Sequence, residues 1–121
     1  MRIVTNSGRV WAAAIVLLAC AASCGDSPKS APTAAQLFQA NCAQCHAADG
    51  TGSNLAPPLH GKKGNWSRDT LVSYLKDPVG YAARDPRLKA QGGKYSLPMP
   101  SYKMLSPSDL ETLADHVLAM P

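Results

Sequence analysis

Two cysteines separated by two residues and followed at once by a histidine, Cys42-Ala43-Gln44-Cys45-His46, constrain this chain more than any other feature. Two thiols at that spacing can add across the two vinyl groups of a haem, and the adjacent imidazole can reach the iron from one face. C-x-x-C-H is the attachment signal for a c-type haem. Other uses of a cysteine pair fit less well. A thioredoxin-like C-x-x-C belongs beside a βαβ pattern, and no convincing strand flanks this one. A structural zinc site needs a second pair of ligands, and the remaining histidines, His60 and His116, lie far apart. The composition agrees. A chain of 121 residues supports one compact domain, yet it has only two Trp, four Tyr and one Phe to build a core. A small domain so short of aromatics needs something else in its middle, and a macrocycle would fill it.

A haem iron with one protein ligand can bind gases or peroxide, whereas a filled sixth position makes an electron carrier. The candidate sixth ligands are Met99, Met104, Met120, His60 and His116. Met99 sits in Leu97-Pro98-Met99-Pro100, where the flanking prolines exclude helix and hold a loop in one shape. Core packing explains a methionine presented that way poorly. Met104 and Met120 border an apolar helical pattern and read as packing. Met99 is therefore the expected ligand, opposite His46.

Around these groups the expected structure is all-α, with three to four helices and long loops wrapped around one haem. The first helix, Ala34–Ala40, runs into the attachment motif, with Thr33 as N-cap and Leu37, Phe38 and Cys42 at helical spacing. Ser67–Lys76 places Leu71, Val72 and Leu75 on one face, and Pro78 marks its end. Ser106-Pro107-Ser108-Asp109 opens the last helix with a polar cap, a first-turn proline and an acid. Leu110, Leu113, Ala114, Val117 and Leu118 then form an apolar stripe.

The N-terminus reads as an export signal. Met1–Arg9 carries Arg2 and Arg9 and no acid, and Val10–Ala19 is an apolar stretch of ten residues, too short for a membrane span of about 20. Leu17-Leu18-Ala19-Cys20 resembles a lipoprotein box, in which Cys20 becomes the acylated first residue; Ala21-Ala22-Ser23-Cys24 is a second, poorer match. Lipidation at Cys24 would leave no stray thiol, and ordinary cleavage after Ala21 is a third route. The expected division is a removed lipoprotein-type signal over 1–23, a flexible polar tether over 24–33 and a domain over 34–121. The mature protein is then expected on the periplasmic side of a bacterial membrane, lipid-anchored or otherwise soluble.

From about Ala34 to Ala119 the chain resembles a class I, monohaem c-type cytochrome. Besides the attachment motif, three segments carry the likeness. Ala56-Pro57-Pro58-Leu59-His60-Gly61 is similar to the family's G-P-x-L-x-G; the resemblance implies that the Pro57 carbonyl accepts a hydrogen bond from the His46 ring, with Leu59 beside the haem. Trp66–Tyr81 is similar to W-x4-L-x2-Y-L-x2-P-x2-Y, which implies that Trp66 donates to a haem propionate, that Tyr74 lies beside the Met ligand, and that Leu71 and Leu75 line the haem. Met99-Pro100-Ser101-Tyr102 is similar to the M-P-x-aromatic loop of bacterial members. In the family the first helix crosses the last through a small residue and an aromatic, here Ala34 and Phe38, and His116 stands where the last helix usually offers an aromatic to Phe38. Two lengths depart from the pattern. The stretch between Gly61 and Trp66 is short, exposing more of one haem edge. The stretch from Tyr81 to Met99 is long, adding residues 82–97, which carry Arg84, Arg87, Lys89 and Lys94 against one acid, Asp85.

The implied function is outer-sphere transfer of single electrons between redox partners, without bond chemistry and so without enzyme activity. Between Lys62 and Lys103 there are nine Lys or Arg and three Asp, which suits a partner with an acidic docking face; nucleic acid is a poor fit for an exported haem protein. The alternatives are an open-coordination haem sensor or peroxidatic protein, or a fixed cytochrome subunit of a larger dehydrogenase or oxidase.

Overall fold

The computed structural model describes residue 25 and residues 29–121. The expected export signal, both lipidation candidates (Cys20 and Cys24) and most of the expected tether lie outside the described residues. Those residues form six α-helices: α1 (Ala34–Asn41), α2 (Ala43–His46), α3 (Arg68–Lys76), α4 (Pro78–Ala82), α5 (Pro86–Lys89) and α6 (Pro107–Leu118), with one 3₁₀ turn at Lys62–Gly64. Among the described residues there is no strand, so the fold is all-α. None of these helices is long and apolar enough to cross a membrane.

Each long helix begins where its sequence supplies partners for the free backbone N–H groups of its first turn. Thr33 and Gln36 form a reciprocal capping box at the start of α1, and Ser67 with Thr70 does the same for α3. Ser106 accepts from the Asp109 N–H at 3.1 Å, with Pro107 in the first turn of α6. Pro78 plays a double part: α3 ends before it, and α4 starts on it because a proline fits the first helical turn, where its missing N–H leaves no bond unmade.

The core lies where α1 and α3 pack on α6. Leu37 and Phe38 of α1, Leu71 and Leu75 of α3, and Leu110, Leu113, Ala114 and Val117 of α6 are all buried. Ala34 is half-buried at the first turn of α1. The His116 and Phe38 rings lie 5.4 Å apart, tilted by 52°, so the imidazole packs as a ring at the α1–α6 crossing. The three additional helices, α2, α4 and α5, have four or five residues each. Such pieces are too short to show a helical period in sequence, which is why three to four helices were expected and six are seen.

One expectation fails. Met104, expected to pack, is 88% exposed. It precedes the Ser106 cap, in the turn leading into α6, where the helical stripe has not yet begun. Met120 does pack against the core.

Candidate haem site

The attachment motif straddles a break in the helix. Cys42 ends α1, its N–H donating to the Phe38 carbonyl, and also opens α2, which carries Cys45 and His46. The chain must then reverse. Ala47 takes φ 65° and ψ 158°, a conformation sterically costly for a residue with a Cβ. The N–H of Gly52 returns to the His46 carbonyl at 2.8 Å, and Ser53 Oγ donates to the Cys45 carbonyl at 2.6 Å. This hairpin brings Pro57 back over the histidine. The Pro57 carbonyl lies 2.7 Å from His46 Nδ1; a carbonyl can only accept, so Nδ1 carries the proton and Nε2 keeps its lone pair for a metal. Burial holds the His46 pKa below its ordinary value, with Lys62 nearby adding to the fall and the Pro57 bond opposing it. At neutral pH the ring is the neutral imidazole that metal ligation needs.

Gly52 makes that return possible. Its φ is +83°, and a Cβ there would lie 2.6 Å from Pro58 N and 2.8 Å from the Pro57 carbonyl carbon. Both contacts are with backbone that cannot swing aside. Gly52→Ala is expected to destabilise the holoprotein by about 2–3 kcal/mol, combining the left-handed penalty with the clash. It should also perturb the His46 ring resonances, because the displaced carbonyl is the one that orients the ring. Denaturant melts and NMR of the variant check both effects.

Cys42, Cys45 and His46 face a largely apolar cleft of about 540 Å³, within the range of small-molecule and cofactor sites. Leu59 and Pro57 line it on the histidine side, Leu71, Tyr74 and Leu75 along α3, and Met99 and Tyr102 on the later loop. Trp66 lines it too, half-buried, its ring 5.2 Å from Tyr74 and 5.6 Å from Tyr81. Tyr74 and Tyr81 in turn lie 5.8 Å apart, edge to face. All ten residues expected to hold the haem therefore border one cavity. His60 is exposed, its Nε2 2.7 Å from the Asp49 carbonyl; neither it nor Met104, Met120 or His116 lines the cleft.

The donor set fits a haem and not the competing cofactors. Cys42 and Cys45 are free thiols. Burial, with Cys45 adding to it, pushes the Cys42 thiol up to about 11, whereas a disulfide-exchanging C-x-x-C depends on a lowered value. Among the described residues no three His, Cys, Asp or Glu side chains converge on a metal position, so the four-ligand cage of a structural zinc is missing. An apolar slot with two thiols and one proton-oriented imidazole on its rim suits a macrocycle that brings its own four nitrogens.

Two residues that mattered less in sequence prove central to the loop carrying Met99. Tyr102 donates its N–H to the Leu75 carbonyl at 2.8 Å and its hydroxyl to the Asn41 carbonyl at 2.6 Å, across 61 positions. Ser101 Oγ donates to the Lys76 carbonyl at 2.5 Å. The C-terminal carbonyls of α1 and α3, free because their helices end there, are thus taken up by the two residues that follow Met99-Pro100. Only the aromatic at 102 had a sequence signal, and that signal said nothing of its partner.

A family profile described as Cytochrome c matches residues 31–121. A cytochrome c of Stellaria longipes is 33% identical over 78 residues, covering 47% of this chain and 68% of its own length. A cytochrome c of Cochliobolus lunatus matches with the same identity and the same coverage, and one of Arabidopsis thaliana is 33% identical over 78 residues, covering 47% of this chain and 66% of its own length. No solved structure matches. With the profile spanning the whole described domain and the cleft holding both thiols and the oriented imidazole, the chain belongs to the cytochrome c family, electron carriers built on a covalently bound haem c.

Proposed function

We propose that this protein carries single electrons with its haem iron held between His46 and Met99, and that it works outside the cytoplasm of a bacterium, tethered to the membrane through an acylated Cys20 or, failing that, Cys24. The observation that carries the ligand pair is the cleft itself: the oriented His46 ring and the Met99 loop line the same cavity. When bound, the haem supplies a reversible one-electron change at iron. The chain does the rest. Cys42 and Cys45 fix the macrocycle's position, Pro57 orients His46, and Leu59, Leu71 and Leu75 exclude water from its faces. Trp66, lining the cleft, supports a donor bond from its indole N–H to a propionate, and Tyr74, on the same wall as Leu75, supports a place near the methionine sulfur. Filled axial positions favour electron transfer over the open-iron sensor or peroxidatic alternative.

The nine Lys and Arg between Lys62 and Lys103 support docking to a redox protein with an acidic face. The acids of α6, Asp109, Glu111 and Asp115, support the same asymmetry. One of them, Asp115, is engaged by Arg68 at 2.6 Å in an exposed pair, so Arg68 contributes less than its neighbours to that field.

A reduced-minus-oxidised spectrum tests the ligand pair. The oxidised protein should show the weak far-red sulfur-to-iron band and should not bind added carbon monoxide rapidly once reduced. Lack of the band, with rapid carbon monoxide binding, would establish the open-iron alternative instead. Mass spectrometry of the mature N-terminus tests the anchor: a diacylglyceryl mass on Cys20 or Cys24 supports it, and an unmodified terminus at Ala22 overturns it.

A further inference from the structure

Residues 82–97 have no counterpart in the family pattern, and their position in the fold gives them a use. Leu88, Gln91, Tyr95 and Leu97 all line the cleft that His46, Pro57 and Leu59 also border. Little holds them there. Apart from the four residues of α5, the segment after Ala83 is turn and bend, and its backbone hydrogen bonds are local, among them Lys89 N–H to Asp85, Gln91 N–H to Leu88 and Lys94 N–H to Gln91. Among the described residues, one hydrogen bond alone leaves 82–98 for a distant part of the chain. It runs from Arg87 Nη1 to the Asn65 carbonyl, at 2.6 Å across 22 positions.

The rest of the guanidinium is committed in the same way. Nε and Nη2 donate to the two Asp85 carboxylate oxygens at 3.1 and 2.6 Å, and the guanidinium carbon sits 5.1 Å from the centroid of the Trp66 ring. The Asp85 side chain is only 12% exposed, and its carboxylate also accepts the Arg87 N–H at 2.8 Å as the cap of α5. An isolated exposed ion pair contributes little. A planar fork held on one edge by a carboxylate, donating from the other to a carbonyl and lying over an indole, is a cross-link of defined geometry that an ammonium cannot reproduce.

The geometry points to Arg87 as a positioning residue that clasps the 82–97 segment to Asn65 and Trp66, holding Leu88, Tyr95 and Leu97 as the second wall of the haem cleft and so keeping water from the haem edge that the short Gly61–Trp66 stretch leaves uncovered. Exclusion of water matters because the oxidised centre carries one more positive charge than the reduced one. Solvent stabilises the oxidised form more, and a wetter site has a lower potential. The inference rests on the haem occupying this cleft, and its main readout does not depend on which side chain is the sixth ligand.

Amide hydrogen exchange and redox titration of the full-length holoprotein test it, in wild type, Arg87→Ala and Arg87→Lys. In Arg87→Ala the amides of Lys89, Gln91 and Lys94 should exchange about tenfold faster or more, since they report local opening of the segment; those of α1, α3 and α6 should keep their rates, and the reduction potential should fall. Arg87→Lys should behave like Arg87→Ala. Unchanged exchange at 89–94 in Arg87→Ala overturns the clasp, as does full recovery in Arg87→Lys, which would make charge alone sufficient. A segment that loosens while the potential stays fixed overturns the exclusion of water. Absence of the sulfur-to-iron band from wild type would reject Met99 as ligand and leave the exchange result to judge the clasp separately.

Discussion

Met99→Ala is expected to abolish the sulfur-to-iron band of the oxidised protein and to lower its reduction potential by on the order of 0.1 V or more, a fraction of the ~0.8 V over which axial ligands set haem potentials. The direction follows from softness. A thioether donates weakly and suits ferrous iron better than ferric, so its loss to water or hydroxide removes a preference for the reduced state. Burial acts the same way, because truncating a half-buried side chain on the cleft wall opens a path for water. The fold should survive, since the loop is anchored by Tyr102 and Ser101 and not by the methionine itself. Far-ultraviolet circular dichroism should therefore stay unchanged while rapid binding of carbon monoxide to the reduced protein appears. If the band persists in Met99→Ala, another sulfur is the ligand. Met104, at 88% exposure, is poorly placed for that role.

Phe38→Ala should have the largest effect on stability, a loss of about 3–5 kcal/mol at the midpoint of a denaturant titration of the holoprotein. Phe38 is 1% exposed and sits at the crossing of α1 with α6. Its removal forfeits the transfer free energy of a large ring and leaves a cavity between helices that the His116 ring, held on α6, cannot fill. A haem attached through Cys42, as proposed, would keep α1 tied to the cleft, so the variant should still fold and show a normal haem spectrum in the absence of denaturant. Met104→Ala provides the contrast. Met104 is 88% exposed and does not line the cleft, and the same titration should shift by less than about 0.5 kcal/mol.

Much of this fold was legible because its signals are local. A cap, a first-turn proline and an apolar stripe lie within a dozen residues of one another, so α1, α3 and α6 could be placed from Thr33, Ser67 and Ser106 onwards. The attachment motif is likewise five consecutive residues. Arg87 shows what could not be read: nothing at position 87 announces Asn65 and Trp66, because the approach depends on how α4 and α5 turn the chain. The partners of Tyr102 were hidden for the same reason, Asn41 being 61 positions away. Met104 misled because an apolar residue two positions before a cap looks continuous with the stripe in sequence, although the helix axis starts only after Ser106. The expectations for the first two dozen residues rest on a processing signal, which is addressed to export machinery and not to the fold.

The staples at Ser101 and Tyr102 bear on how fast such a carrier can work. A methionine on a free loop would bind iron as a separate partner, losing entropy each time the bond re-forms. Here the loop is fixed at its C-terminal side to the ends of α1 and α3, so with Met99 as the proposed ligand the thioether would meet the iron at a high effective concentration. Ferric iron, which prefers the sulfur less, would then keep it, and the coordination sphere would change little between the two oxidation states. Small geometric change means small reorganisation energy, and a lower barrier to each electron passing in or out.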